Sequence, residues 1–406
     1  MISSARLVPP GLALIAVTYG LARFAYGLFL PDMRAAFDLP SALLGVIGAG
    51  SYVGYCAAIV VALAFTSRTG PRLMAGAAGA VAVVGMATVA AAPAAWVLAL
   101  GVLVAGSSSG LASPPMGEAV AGSIRNGLQD RANALINSGT SVGVALSGPA
   151  ALILTGQWRI AWAVFTLVGC AVLVWNAVVM PSRAVADRVE HEDGEPDEAG
   201  SVADDGAGRT RLTFSYLAGA RVRPRAVPLF AAAFGLGFAS AAYWTFSREL
   251  VVQAGGFGQT GSTLFWTIIG ISGLAGGAAG DLTSRFGLTT AFRGALLAMS
   301  ASMTLLAVLP GMLPVAYASA ALFGSTYIML TGVVLVWSVG IFREIPSAGL
   351  GAGFLLIAIG QMVGSPVAGI LAGTTGLATT FVSFAVIALL TACVRPHRPD
   401  GPSGYG

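Results

Sequence analysis

The chain has 406 residues, of which 56% are hydrophobic and only 9% charged, and its formal net charge is +4. A soluble domain carries roughly 25% charged residues, so a mean hydropathy of +0.83 excludes an ordinary soluble fold and implies a polytopic membrane protein. The pI near 9.2 does not point to nucleic acid, because the 21 basic residues, all arginine, punctuate apolar runs and form no stripe.

A spanning helix needs about 20 mostly apolar residues, and the first qualifying run covers 9–31. Arg6 before it imitates a signal peptide, but the run is too long and similar runs follow, so it reads as an uncleaved first span. Five more runs, 42–65, 73–92, 96–117, 134–155 and 160–180, complete a six-helix bundle over 1–180. The segment 181–225 contains "HEDGEPDEAGSVADDGAG" and holds nine of the 17 acidic residues, which predicts a disordered linker. Six further runs, 226–247, 262–281, 291–309, 314–338, 350–372 and 376–394, predict a second bundle over 226–395. A tail, 396–406, follows.

Arginine placement orients these 12 predicted helices. With the N-terminus inside, short loops put seven arginines inside (Arg68, Arg72, Arg125, Arg131, Arg285, Arg293, Arg343) and three outside (Arg34, Arg159, Arg248). The positive-inside rule then puts both termini and the linker in the cytoplasm of a protein in the cell inner membrane. Cys56, Cys170 and Cys393 lie in apolar runs without metal-ligand spacing and read as free buried thiols. The two histidines, His191 and His397, fall in the linker and the tail, so no metal site, cofactor or enzyme chemistry is expected. No phosphate-cradling GxxxxGK[ST] occurs, which argues against ATP as energy source.

The halves repeat. "FTSRTG" after the second run matches "LTSRFG" after the eighth, a shift of 217 from Thr66 to Thr283; "GVALSGP", ending at Pro149, matches "GQMVGSP", ending at Pro366, at the same shift. "YGLA" at Tyr19 matches "FGLG" at Phe234, a shift of 215. Such parallel six-helix repeats are one architecture of secondary transporters.

On these residues the chain resembles the major facilitator superfamily over its whole length. Ser67 to Arg72 resembles the family's loop between helices 2 and 3, G-x-x-x-D-R-x-G-R-R, with Leu63 for the Gly, Ser67 for the Asp and Pro71 for an Arg. The second copy keeps Gly280 and Arg285 but has Ser284 for the Asp, and Asp281 stands one turn earlier. The resemblance implies a gating latch at Arg68, Asp281 and Arg285. Gly139, Gly143, Gly148 and Pro149 resemble the fifth-helix Gly-Pro motif of family antiporters, for which helix packing between the halves is the competing reading. "QWRIAW", 157–162, is similar to the family's Trp-Arg start of helix 6 and reads as an interfacial anchor. "GLARFAYGLFLPDM" with "SYVGYCAA" is similar to a YbfB/YjiJ-like permease group, with cyanate-type permeases as neighbours.

Arg23 is the outlier. It lies about 14 residues into the first run, or ~21 Å along a helix rising ~1.5 Å per residue, and no carboxylate sits at its depth. Asp32, Glu118, Glu249 and Asp281 all fall at span ends. Three readings are open: Arg23 binds an acidic group of a substrate, bonds helix carbonyls and tyrosines structurally, or couples protons or gating. Tyr19, Tyr26, Tyr52, Tyr55, Tyr243, Trp244, Tyr327 and Gln361 are the other candidate cavity residues, each also consistent with plain packing.

These readings imply a secondary active transporter for a small organic solute, working by alternating access, coupled to protons and acting as a monomer in the lipid bilayer. Export is favoured slightly over uptake of a small organic anion. A non-transporting membrane sensor is the rival from another class; it would need a folded soluble domain, which the linker does not offer.

Overall fold

The computed structural model describes residues 4–180, 226–342 and 346–396; the predicted linker 181–225 and the end of the tail lie outside them. Every regular element among the described residues is helical. Helix α1 runs through three consecutive segments, Ser4–Ile15, Ala16–Phe24 and Ala25–Phe37. It is followed by α2 (Ser41–Thr69), α3 (Pro71–Ala90), α4 (Ala95–Ser123), α5 (Asn126–Asn137 and Gly139–Ile153) and α6 (Trp158–Val179). The second half comprises α7 (Val227–Gln253), α8 (Gln259–Gly273, Leu274–Ala278 and Ala279–Phe286), α9 (Leu288–Val308), α10 (Leu313–Ile341), α11 (Pro346–Thr374) and α12 (Leu377–Ala392).

Ten of these helices are long and apolar enough to cross a membrane among the described residues. The other two are α12, with 16 residues, and α5, whose pieces have 12 and 15. Several helices overrun their apolar runs by a turn, because backbone hydrogen bonding continues until a cap ends it. Thus α1 reaches Phe37, where Asp38 turns left-handed (φ 49°). Arg34 and Arg248, expected in outer loops, therefore lie inside helices α1 and α7.

The repeat is visible in backbone detail. Gly70 ends α2 with φ 82° and ψ 157°, and Gly287 ends α8 with φ 80° and ψ 152°, 217 residues later. Each donates its N–H to the carbonyl four residues back, Thr66 or Thr283. A side chain at this φ would be strained, which explains why both copies keep glycine. Arg72 then caps the carbonyl of Ala177 at the end of α6, and Arg293 Nε donates to the Ala392 carbonyl at the end of α12 (3.1 Å).

Small residues bring the helices together. Gly143 of α5 meets Ala16 and Gly20 of α1, and Gly360 of α11 meets Phe234, Gly237 and Phe238 of α7. Without a hydrophobic drive between helices in lipid, close backbone approach is a main source of association. The halves join along α2–α11 and α5–α8: Ser365 Oγ donates to the Gly45 carbonyl (2.9 Å), and Gly148 faces Thr267. Trp158 and Trp162, expected as interfacial anchors, are instead buried against Phe37 and Phe165. The thiols are free, but Cys393 is exposed and Cys56 and Cys170 are half-buried, so the expectation of full burial fails.

We call the face that carries Gly70 and Gly287 the terminal face, since the last turns of α6 and α12 lie there with them, and the other the far face.

Candidate functional site

The middle of α1 is a nine-residue π-helix, Ala16–Phe24, with Arg23 near its end. Its register shows in the next residue, where Ala25 N–H reaches back five residues to the Gly20 carbonyl. Such wide turns are rare and concentrate at functional positions. Here the widened turn is the part of α1 that packs against Gly143.

Arg23 is 6% exposed. Its guanidinium carbon lies 4.4 Å from the Tyr55 ring centroid, 4.8 Å from Tyr52, 5.2 Å from Phe24 and 5.6 Å from Tyr19. Nη2 donates to Gln361 Oε1 (3.0 Å), and Nε finds no acceptor among the described residues. Inserting an arginine near mid-helix costs about 2.5–3.5 kcal/mol, and each ring contact returns about 0.5–2 kcal/mol. Four rings therefore suffice to hold the charge without a carboxylate. That leaves donors of the five-donor fork available to an incoming acceptor.

Gln361 carries the site into the second half. Its Nε2 donates to the Tyr327 hydroxyl (3.1 Å) and Ser240 Oγ (3.4 Å). Trp244 of α7 stacks on Phe24 at 4.1 Å and meets Tyr327 edge-on at 5.2 Å. The Tyr19 hydroxyl pairs with Ser113 Oγ (2.7 Å). A small cavity of about 10 Å³ lies on the far side of Arg23, lined in part by Ser51, Tyr52, Trp244 and Thr245, with room for roughly one water. On the terminal side, Tyr19, Cys56, Leu63, Phe354 and Leu355 pack around Tyr55 and are only half-buried.

Of the predicted site residues, Arg23, Tyr19, Tyr52, Trp244 and Gln361 thus meet in one cluster, with Tyr55 and Tyr327. Tyr26 borders the small cavity, but its hydroxyl donates to the Leu44 carbonyl (2.8 Å), so its polar tip serves α1–α2 packing. Tyr243 stands apart, stacked on Phe323 at 3.7 Å with its hydroxyl on Ser319. Phe24 was missed, because nothing in its sequence context distinguishes it from packing.

The predicted gating residues divide into two places. Arg68, Asp281 and Arg285 are exposed on the terminal face; Arg285 lies over the Phe286 ring (5.4 Å), and no ion pair joins it to Asp281. Gly143 and Gly148 sit inside the bundle on α5, the first against α1 and the second against α8, whereas Pro149 beside them is exposed.

Sequence reasoning also missed the far-face closure. Arg34 of α1 is paired with Glu249 of α7 at 2.7 Å, and Arg248 with Asp32 at 2.9 Å. Arg248, 1% exposed, also donates to the Leu28 carbonyl, Gln259 Oε1 (2.8 Å) and Ser262 Oγ (3.3 Å). Glu249 is fully buried, and its second oxygen has no partner among the described residues. The alternating signs in the sequence were the available signal, but pairing needed the two helices side by side.

Two six-helix halves, closed at one face and meeting at a buried polar cluster, define a membrane carrier. The family model for the Major Facilitator Superfamily matches residues 12–352, and the chain belongs to that family. It is therefore a multi-pass membrane transporter and not an enzyme. A search of curated proteins found no match. Among solved structures, the chain is similar to a mutant of the nucleoside transporter NupG, with TM-score 0.76 and 12% identity over 95% of this chain and 98% of that one. It is also similar to a D-xylose-proton symporter (TM-score 0.72, 16% identity, 96% of each chain). A third is a bacterial homolog of the human lysosomal transporter Spinster, inward-facing and occupied (TM-score 0.70, 14% identity, 94% of each chain). At these identities the likeness speaks for the fold alone.

Proposed function

We propose that the chain is a secondary active transporter that moves a small organic solute across the inner membrane as a monomer, by alternating access, with Arg23 receiving an acidic group of the solute. The observation that carries this is a mid-span guanidinium held by rings and an amide, with no carboxylate partner and no acceptor for Nε among the described residues. The closed far face and the half-buried side chains on the terminal side support access from the terminal face in this state. With the termini in the cytoplasm, as the arginine bias implies, that is an inward-facing arrangement.

Energy, on this reading, comes from a proton gradient, and Glu249 is the carrier: a carboxylate buried between the halves whose release of Arg34 opens the far face. Export is the direction we infer, from the resemblance of the Gly148-Pro149 stretch of α5 to the Gly-Pro motif of family antiporters. The test is flux of organic anions in inverted vesicles with and without an imposed pH gradient. Gradient-driven accumulation of an anion supports the reading. ATP-dependent flux with every ion gradient abolished would overturn it, and accumulation only in right-side-out vesicles would replace export by uptake.

A further inference from the structure

The charge inventory of the site narrows the solute further, and this step rests on Arg23 as the anion receptor. No other described residue near the middle of a span is charged. A single fixed positive charge balances one negative charge; a second would remain unpaired in a low-dielectric interior, where unpaired ions are costly. The ring faces of Tyr52 and Tyr55 lie nearest the guanidinium, so a partner must approach along its edge. A planar carboxylate matches that edge through two parallel hydrogen bonds. The rings of Tyr19, Tyr52, Tyr55, Phe24 and Trp244 make its surroundings aromatic on several sides, which favours a flat unsaturated body that can meet ring edges or replace a ring–ring contact.

Gln361 has a second part in this geometry. Because its Nε2 donates to Tyr327 and Ser240, its Oε1 is turned toward Arg23, on the spot a carboxylate oxygen would use. We propose that the substrate is a monoanion, one carboxylate on a flat unsaturated body, and that Gln361 Oε1 holds the guanidinium position that the carboxylate takes over on binding. Gln361→Glu then supplies an internal carboxylate of the same shape. Tyr327 can still satisfy it as a hydroxyl donor, while Arg23 is neutralised.

The test uses the purified full-length chain and the probes benzoate, benzamide, terephthalate, phenyl phosphate and cyclohexanecarboxylate, with binding read by calorimetry and thermal shift. Benzoate should bind, the saturated carboxylate severalfold weaker, and the neutral and dianionic probes at least tenfold weaker. Gln361→Glu should lose benzoate at least tenfold while melting no lower than the parent. Terephthalate or phenyl phosphate binding as tightly as benzoate overturns the monoanion class, and so does failure of both monocarboxylates to bind. Unchanged benzoate affinity in Gln361→Glu overturns the role of Gln361. Unchanged affinity in Arg23→Gln is a separate outcome, since it removes the anion-receptor reading itself.

Discussion

Helices α1 and α7 occupy matching places in the two halves, at the 215-residue offset that links Tyr19 to Phe234, yet they are built differently. The centre of α1 is a π-helix with Arg23 in it; α7 is a continuous α-helix with Phe238 at the matching position, stacked on Phe384 at 5.2 Å. One half offers a charge where the other offers a ring. At the far face the same offset relates Arg34 to Glu249, and these two are ion-paired across the junction of the halves. A near-symmetric fold therefore carries its asymmetry in the backbone of α1 and in side chains, neutral where the halves clasp and positive at the proposed solute site.

The sharpest way to break the comparison is at Arg23. Arg23→Gln makes the first half as uncharged as the second and should cut anion flux at least 100-fold, about 2.7 kcal/mol in transition-state terms. Membrane insertion should persist, because removing the charge lowers the cost of burial. Vesicle flux normalised to folded protein checks this, and Arg23→Lys should fall in between, keeping charge but losing the planar fork.

The glycine crossings probe the symmetric part. Gly143→Val and Gly360→Val, 217 residues apart, should each destabilise by about 1–3 kcal/mol through overpacking against a neighbouring backbone. Thermal melts in detergent should rank them alike. A large effect at one and none at the other would mean that the halves do not share this packing.

The far-face pair tests whether the offset has energetic content. Arg34 is partly exposed, so its pair is discounted from the values of fully buried ones; Glu249→Gln should shift the open–closed balance by about tenfold, or ~1.4 kcal/mol. Exchanging the charges, Arg34→Glu with Glu249→Arg, should restore closure because the positions are near-equivalent. Labelling of a cysteine introduced near Asp38 reports far-face access, and a double variant as open as the single would refute the equivalence.

The smallest effects belong to Arg72 and Arg293, each capping the end of the last helix of its half. Replacement by Ala should cost no more than about 1 kcal/mol, in line with a helix-terminus charge. Melting temperatures of the two variants should fall by similar, small amounts.

Much of this was readable in one dimension. Runs of apolar residues, the 217-residue repeat and the glycine after each "TSR" follow from local requirements: lipid demands satisfied backbones, and a positive φ demands glycine. Arg23 stood out for the same reason, as a charge at a depth where charge is costly. What it touches could not be read, since Gln361 lies 338 residues away and only the packing of α11 against α2 and α7 brings it within 3.0 Å. The π-helix was hidden too, because its widened turn packs against Gly143 on another helix rather than following from a propensity of "AVTYGLARF". Asp32 and Glu249 read as span ends and Arg34 and Arg248 as outer-loop residues; the meeting of α1 and α7 turns them into a partly buried clasp. Composition and periodicity determined that this chain spans a membrane in two similar halves, because those properties act residue by residue. Which polar groups meet was decided by tertiary structure, because a hydrogen bond or ion pair exists only at a distance that the packed helices set.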